Sequence, residues 1–243
     1  MEVHHHGHHE GKKNWKSYLW EFLMLFLAVF CGFLAEYQLE HTIEHQREKE
    51  YIISMIEDAK TDMANIEKSI RVNTLRANRL DTLALLCLDY DATMNYNIHR
   101  LFRYGLIHPD FITPTERTIQ QLKNAGGMRL LRKKDAINSI VQYDDIAKKL
   151  INQQAFYELY QNKSIDAGSK VINFENLKLG SLQFRNTSGK LSNTDNLKLI
   201  EFGNMVYMYS GVVKFYVTRL KDTNGQAVRL TETLEKEYDL DAK

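Results

Sequence analysis

The sequence contains little cysteine, proline or glycine. With 2 cysteines in 243 residues it cannot hold a disulfide framework. Its 2 prolines and 12 glycines are too few for an all-β sandwich, which needs a turn signal every ~8–12 residues. The formal net charge of +1 gives no general case for nucleic-acid binding, and no segment matches a phosphate loop or cofactor fingerprint. We therefore predict an all-α protein with no cofactor and no nucleic-acid partner.

One segment near the N-terminus is predicted to lie in a lipid bilayer. The stretch from Phe22 to Ala35 carries no charge, and apolar residues extend it across Glu21. A bilayer core needs ~20 helical residues, or as few as ~17, so residues 17–37 are predicted as a transmembrane helix. A cleaved signal peptide is the alternative, but Phe33 stands where cleavage after Ala35 would require a small residue.

The charges beside this segment predict its orientation. Lysines at positions 12, 13 and 16 precede it, whereas glutamates at 36, 40 and 44 follow it before the first basic residue, Arg47. Because positive charge stays on the cytoplasmic side, residues 1–16 are predicted to be a cytoplasmic tail. The chain after the span would then lie outside the inner membrane, in the periplasm of a Gram-negative cell.

Three residues of the span are candidates for a contact with another membrane helix. Glu21 lies about one turn inside the span, where an ionisable group must snorkel, pair or face a partner helix. Ala28 and Gly32 are small residues one helical repeat apart, which permits close helix packing. Snorkelling of Glu21 to the nearer interface is the simpler interpretation.

Four segments carry a resemblance to a known family. They are the opening residues 1–6 (MEVHHH), the run 21–33, the segment 44–49 (EHQREK) and the segment 122–130 (LKNAGGMRL). In these the chain resembles an uncharacterised family of short single-pass inner-membrane proteins of Bacteroidetes-type bacteria. The resemblance implies an inner-membrane location and histidines that are native to the protein. It brings no functional residue, since no activity is attached to the family.

Two heptad patterns predict a helical stalk. Apolar or small residues alternate in steps of four and three from Ile52 to Cys87, with only Asn73 polar, and again from Val206 to Tyr238. They predict one helix from Trp15 to Leu88 and another over 195–239 that continues across Asn224-Gly225. The stalk segments 38–88 and 195–243 would pack against each other as antiparallel neighbours.

Residues 89–194 are predicted to form a small helical head. Thr113 would cap a helix with Pro114 at its first position, and Gly126-Gly127 would end that helix. A further helix is predicted over 133–161, followed by an ordered loop over 162–194. Two short extended pieces are expected in that loop, at 171–174 and 182–184.

Histidines form two patterns that suggest metal chemistry. The tail cluster is suited to Zn or Ni but lacks fixed geometry, so we expect at most adventitious metal binding there; its members are His4, His5, His6, His8 and His9. The segment His41 to His45 matches the H-x-x-E-H pattern of zinc hydrolases, with Glu44 as the base. A catalytic zinc site also needs a third ligand and a dry cavity, so a solvated helix face is the preferred interpretation.

The predicted head carries an excess of basic residues. They suggest an electropositive surface for an anionic partner such as an envelope polymer or an acidic protein patch; the candidates are Arg100, Arg103, Arg129, Arg132, Lys133 and Lys134. An ordinary solvated surface is the competing interpretation.

Together these features predict a membrane-anchored protein that is not an enzyme. We expect an interaction or scaffold protein, an accessory subunit of a cell-envelope complex, with the lipid bilayer and a protein partner or a second copy as its contacts. The first alternative is a ligand sensor that signals through its anchor helix. The remote alternative is a zinc hydrolase at the membrane surface.

Overall fold

The computed structural model describes residues 14–124, 126–177 and 190–240. Within these ranges the chain is helical, with no strand, so the predicted all-α class is confirmed. The helices are α1 (Trp15–Leu88), α2 (Asn95–Leu106), α3 (Arg117–Asn124), α4 (Lys134–Ser169) and α5 (Asn196–Glu237). Short 3₁₀ turns cover Ala92–Met94, Gly127–Leu130 and Phe174–Leu177. Helix α1 has the predicted bounds, as expected for a segment without proline.

The chain divides into two compact units at residue 50. In the first unit, the described residues after Asn14 belong to α1, and most side chains of the apolar segment are exposed. This part of α1 has an 18-residue window of mean hydropathy 2.0, none of it buried. Within the described residues, α1 is the one helix long and apolar enough to cross a membrane. Exposure of so many apolar side chains is unfavourable in water and favourable in lipid.

In the second unit, α5 runs antiparallel to the end of α1. The Ser210 hydroxyl donates to the Ala77 carbonyl at 3.2 Å, and Lys60 pairs with Glu235 at 2.7 Å. Residues 60 and 77 of α1 thus meet residues 235 and 210 of α5, in opposite chain directions. This is the pairing that the two heptad patterns predict.

Helix α4 is a third long member of this bundle. The Ser164 hydroxyl donates to the Met205 carbonyl of α5 at 3.2 Å, and the Tyr157 hydroxyl donates to Asn73 of α1 at 3.1 Å. Much of the predicted head therefore lies alongside α1 and α5. Helical spacing in α4 indicates an apolar face but does not say which helices cover it.

Helix α3 begins later than predicted, because α1 caps it. The prediction placed the cap at Thr113, whereas α3 begins at Arg117. The Asp58 carboxylate, nearly fully buried on α1, accepts hydrogen bonds from the Thr118 amide (3.1 Å) and hydroxyl (2.5 Å). A carboxylate at a helix N-terminus satisfies amides that have no partner within the helix. The predicted end is confirmed, since Gly126 adopts a φ of 69° after α3.

The predicted loop 162–194 differs from the structure at its start. Helix α4 continues to Ser169, and the expected extended piece at 171–174 is a turn leading into a 3₁₀ segment. The piece at 182–184 lies outside the described residues. Helix α5 is capped by Asp195, whose carboxylate accepts from the Lys198 amide at 3.1 Å, and it runs uninterrupted through Asn224-Gly225.

The core of the second unit consists of two clusters. One centres on Phe102, Tyr157 and Phe202 where α2, α4 and α5 meet α1. The other centres on Ile52, Ile119 and Leu230, where α3 and the start of α4 cover α1. Both clusters leave part of the α4 and α5 surface uncovered, and this surface forms the candidate site.

Candidate functional site

A groove of about 390 Å³ runs between α4 and α5 on the surface of the second unit. We call it the α4–α5 groove; its lining residues are Phe156, Tyr160, Tyr207, Met208, Gly211, Val212, Lys214 and Phe215. Two antiparallel helices thus supply an apolar trough with aromatic walls. Such a shape suits the side chains of a third helix laid along it.

The walls of the groove are unusually exposed for large apolar residues. The exposed fraction is 46% for Phe156, 62% for Tyr207, 52% for Met208 and 45% for Phe215. A Cβ atom added at Gly211 would meet nothing within 4 Å, so the space above this residue is open. Contiguous exposed apolar surface of this kind marks interaction sites in soluble domains.

Along α4 and α5, large apolar side chains are exposed while neighbouring tyrosines are buried. Three of the exposed residues of the groove are each followed in the chain by a fully buried tyrosine; the pairs are Phe156–Tyr157, Met208–Tyr209 and Phe215–Tyr216. Burying a hydroxyl while exposing a phenyl ring or a thioether is the reverse of the usual preference. The outer face therefore favours contact with another molecule, and the inner face holds polar groups.

Cations surround the groove. Lys214 lines it and pairs with Asp81 at 2.7 Å. The Lys163 ammonium lies 5.3 Å from the Tyr160 ring centre. The Arg219 guanidinium lies 4.8 Å from the Phe215 ring centre and 3.9 Å from the Asp222 carboxylate. No acidic side chain is among the described residues that line the groove. A partner with an apolar centre and acidic flanks would complement this surface.

The inner face of the same helices surrounds a buried arginine of α1. Arg76 is 5% exposed, and its Nε and Nη1 atoms have no hydrogen-bond partner in the described chain. Tyr157 and Tyr209 lie beside it, with their ring centres 5.2 Å apart. Burial raises the pKa of both hydroxyls, so they stay neutral.

The residues predicted as one basic surface lie in separate places. Arg103 is buried and donates to the Leu177 carbonyl at 2.7 Å, so it belongs to the core and not to a partner surface. Arg100 is exposed in a groove with Arg79 of α1.

The other four basic residues cluster far from Arg100 along α1. They are exposed and follow Gly127, which lies against Tyr51; they are Arg129, Arg132, Lys133 and Lys134. The 28 residues between positions 51 and 79 correspond to about 40 Å of helix. The prediction treated neighbours in the sequence as neighbours in space, and the fold of 89–134 along α1 separates them.

The three candidate residues for a contact with another membrane helix lie on α1. Glu21, Ala28 and Gly32 are all exposed in the first unit. A Cβ atom added at Gly32 would meet nothing within 4 Å. A contact with a second membrane helix at this position stays a prediction.

The histidine patterns have different outcomes. His4 to His9 lie outside the described residues. His41 is exposed and stacks on Tyr37, whereas the His45 ring lies 3.3 Å from the Glu48 carboxylate. Across 14–124, 126–177 and 190–240, no group of three or more His, Cys, Asp or Glu side chains could hold a metal ion. The H-x-x-E-H segment therefore has no third ligand among these residues.

The sequence analysis did not select the groove or Arg76. A signal for the groove was present, because Tyr207, Met208 and Phe215 are large residues that lie off the α5 heptad positions 206, 210, 213 and 217. Arg76 likewise follows the seam residue Asn73 by three positions, which is a core-facing step. A charged residue at a core-facing helix position is the clearest sequence signal for the polar site around Arg76.

Comparisons with known proteins add no homologue. No protein-family model, curated protein or solved structure matches the chain.

Proposed function

We propose that this protein is a membrane-anchored, non-enzymatic interaction protein, an accessory subunit of a cell-envelope complex. Residues 17–37 would anchor it in the inner membrane, with the tail in the cytoplasm and the bundle in the periplasm. The observation that carries the proposal is the α4–α5 groove, with its half-exposed Phe156, Met208 and Phe215. The exposed apolar segment of α1 supports the anchor.

The occupant that best fits the groove is an amphipathic helix of another protein with acidic flanks. Phenyl rings and a thioether favour an apolar helix face, because burying them removes apolar area from water. Lys163, Lys214 and Arg219 favour carboxylates at the edges of that helix. A second copy of this protein fits less well, because its own groove would place the same cations against Lys163, Lys214 and Arg219.

Site-specific photocrosslinking in the native membrane tests this proposal. A benzophenone amino acid replaces Gly211, where the structure has open space for a side chain. We expect one crosslinked partner, whose crosslinked peptide has an apolar helical face with Asp or Glu beside it. The control places the same amino acid at Leu85, which is 66% exposed on α1 and outside the groove.

The outcomes separate the alternatives. An adduct at residue 211 but not at 85, lost in Phe215→Glu, would support a heterologous partner. An adduct between two copies of the protein would contradict a heterologous partner and indicate a homo-oligomer. Equal yields at both positions, or no adduct at residue 211, would contradict a docking function of the groove.

A further inference from the structure

The polar centre of the bundle contains an arginine, Arg76, whose Nε and Nη1 atoms have no hydrogen-bond partner in the described chain. Arg76 is 95% buried, since its exposed fraction is 5%, and arginine cannot lose its proton in a protein. A buried charge without a partner costs several kcal/mol, so it is ordinarily paired or bound to a ligand. The neighbours of Arg76 therefore decide whether the fold itself supplies that partner.

The hydroxyl oxygens of Tyr157 and Tyr209, which lie beside Arg76, are neutral acceptors and bring no negative charge to it. The Asn73 amide is fully used: its Oδ1 accepts from Tyr157 at 3.1 Å, and its Nδ2 donates to the Ser69 and Asp110 carbonyls, both at 3.0 Å. The Tyr157 proton is thereby committed to Asn73. The Tyr209 hydroxyl is fully buried and has no hydrogen-bond partner in the described chain.

The unsatisfied groups share one chemical property. Arg76 Nε and Nη1 are donors only, and the Tyr209 hydroxyl has a proton to donate. Donors from α1 and α5, with neutral Tyr157 of α4 beside them, call for a negatively charged acceptor. Burial raises the pKa of Tyr209 and Tyr157, so neither phenol supplies the charge by ionising.

We propose that Arg76 and Tyr209 bind a small monovalent anion, either a halide or a one- or two-carbon carboxylate, at the centre of the α1, α4 and α5 bundle. The size limit follows from burial, because Tyr157 and Tyr209 are fully covered and the ligand enters through local opening of the helices. A bound anion would contact two helices directly and stabilise the unit formed by residues 51–243. This gives the bundle a means of sensing a ligand, and it does not depend on the proposed partner.

Thermal unfolding of the full-length protein in detergent micelles tests the site. The protein is exchanged into sodium gluconate, whose anion is too large to enter, and is then titrated with chloride, formate or acetate at constant ionic strength. We expect the Tm, followed by circular dichroism at 222 nm, to rise by about 3–6 °C at ten times the Kd. The three anions distinguish a halide from a carboxylate ligand.

Two matched variants assign the effect to the buried arginine. In Arg76→Met the anion-dependent rise in Tm should be lost, while the Tm in gluconate should equal or exceed that of the wild type. In Arg71→Met, the same change at an exposed position of α1, the rise should remain. If Arg76→Met does not fold, Tyr209→Phe serves instead, with an expected shift of the titration midpoint by about tenfold to higher concentration.

Three results would contradict the anion site. An equal Tm of the wild type in all four anions would overturn the proposal. So would a rise in Tm that survives in Arg76→Met or a midpoint unchanged in Tyr209→Phe, since the anion would then act elsewhere. Crosslinking from residue 211 can succeed or fail independently, because it involves the opposite face of α4 and α5.

Discussion

The two faces of the α4–α5 pair use similar residues for opposite purposes. The outer face exposes Phe156, Met208 and Phe215, whereas the inner face buries the tyrosines that follow them in the chain. If stability alone had shaped these helices, the phenyl rings would be inside and the phenols outside. The inversion supports the proposals of a partner contact on the outer face and a polar ligand site on the inner face.

The inner face also shows that buried charge in this bundle can be fully compensated. Asp62 of α1 is 1% exposed and accepts from the Thr115 amide at 2.9 Å, from the Thr115 hydroxyl at 2.8 Å and from the Tyr143 hydroxyl of α4. Arg76, fourteen residues along the same helix, has no such set of partners. The contrast separates a charge that the fold compensates from the one for which we propose a ligand.

The largest predicted effect is at Asp62. In Asp62→Ala the Thr115 and Tyr143 donors lose their acceptor, so the free energy of unfolding should fall by about 3 kcal/mol or more. Urea unfolding followed by circular dichroism measures it. Glu57→Ala, an exposed acid on the same helix, should change it by less than about 0.5 kcal/mol. A loss below about 1 kcal/mol for Asp62→Ala would show that its hydrogen bonds are not the compensation described here.

The next effect compares a glycine on each face. In Gly168→Ala the new Cβ would collide with the Phe102 ring and lie 2.9 Å from that of Phe202, at an expected loss of about 1–3 kcal/mol. In Gly211→Ala the Cβ meets nothing, so the better helix propensity should stabilise the protein by up to about 1 kcal/mol. Denaturation midpoints of the two variants compare the faces directly. Equal signs for both would contradict the assignment of inner and outer faces.

A smaller effect concerns alkaline pH. Burial raises the pKa of Tyr216 to about 12, whereas an unfolded tyrosine ionises near pH 10. The folded state therefore holds its proton longer, so this contribution is complete below about pH 10 and is lost as the pH rises from there toward 12. Tyr216→Phe should reduce the fall in unfolding free energy between pH 9.5 and 11 by about 1 kcal/mol.

The control for this pH experiment is Tyr207→Phe in the exposed wall of the groove. Its pH profile should follow that of the wild type over the same range. A Tyr216→Phe profile parallel to the wild type would mean that the inner hydroxyl does not stay protonated in the folded state.

The smallest effect is expected on the outer face. Met208→Gln keeps the side-chain length at a position that is 52% exposed, so unfolding free energy should change by less than about 0.5 kcal/mol. Met55→Gln, the same change at a position that is 1% exposed, should cost about 2 kcal/mol or more because it buries an amide. A large loss for Met208→Gln in the purified protein would make the groove part of the core.

The sequence predicted the parts of the fold that depend on local patterns. Heptad steps from Ile52 to Cys87 and from Val206 to Tyr238 were sufficient to pair α1 with α5. The capping of α3 by Asp58 of α1 was not predictable in this way, because the contact joins residues 60 positions apart. Contacts over such separations follow from the packing of whole helices rather than from spacing within one.

The candidate sites were harder to predict for the same reason. Arg103 and Arg100 are three residues apart on neighbouring parts of the α2 surface, yet one is buried and the other exposed. Spacing within α2 does not say which part of that surface other segments cover. The groove exists only because α4 lies beside α5, and the heptad analysis placed α4 in a separate head. The role of Arg76 could not be predicted from the sequence, because a buried arginine is recognised as unpaired only when all its contacts are known.

Thiol accessibility in the membrane tests the central claim most directly. In a Cys31→Ser background, Gly211→Cys or Leu85→Cys is labelled with a maleimide in freeze–thawed native membranes and again after purification in detergent. Cys87 is buried with its pKa raised to about 12, so it should not react. We predict that residue 211 is protected in native membranes and labelled after purification, with residue 85 labelled in both. Equal labelling of residue 211 in the two states would contradict a partner in the α4–α5 groove.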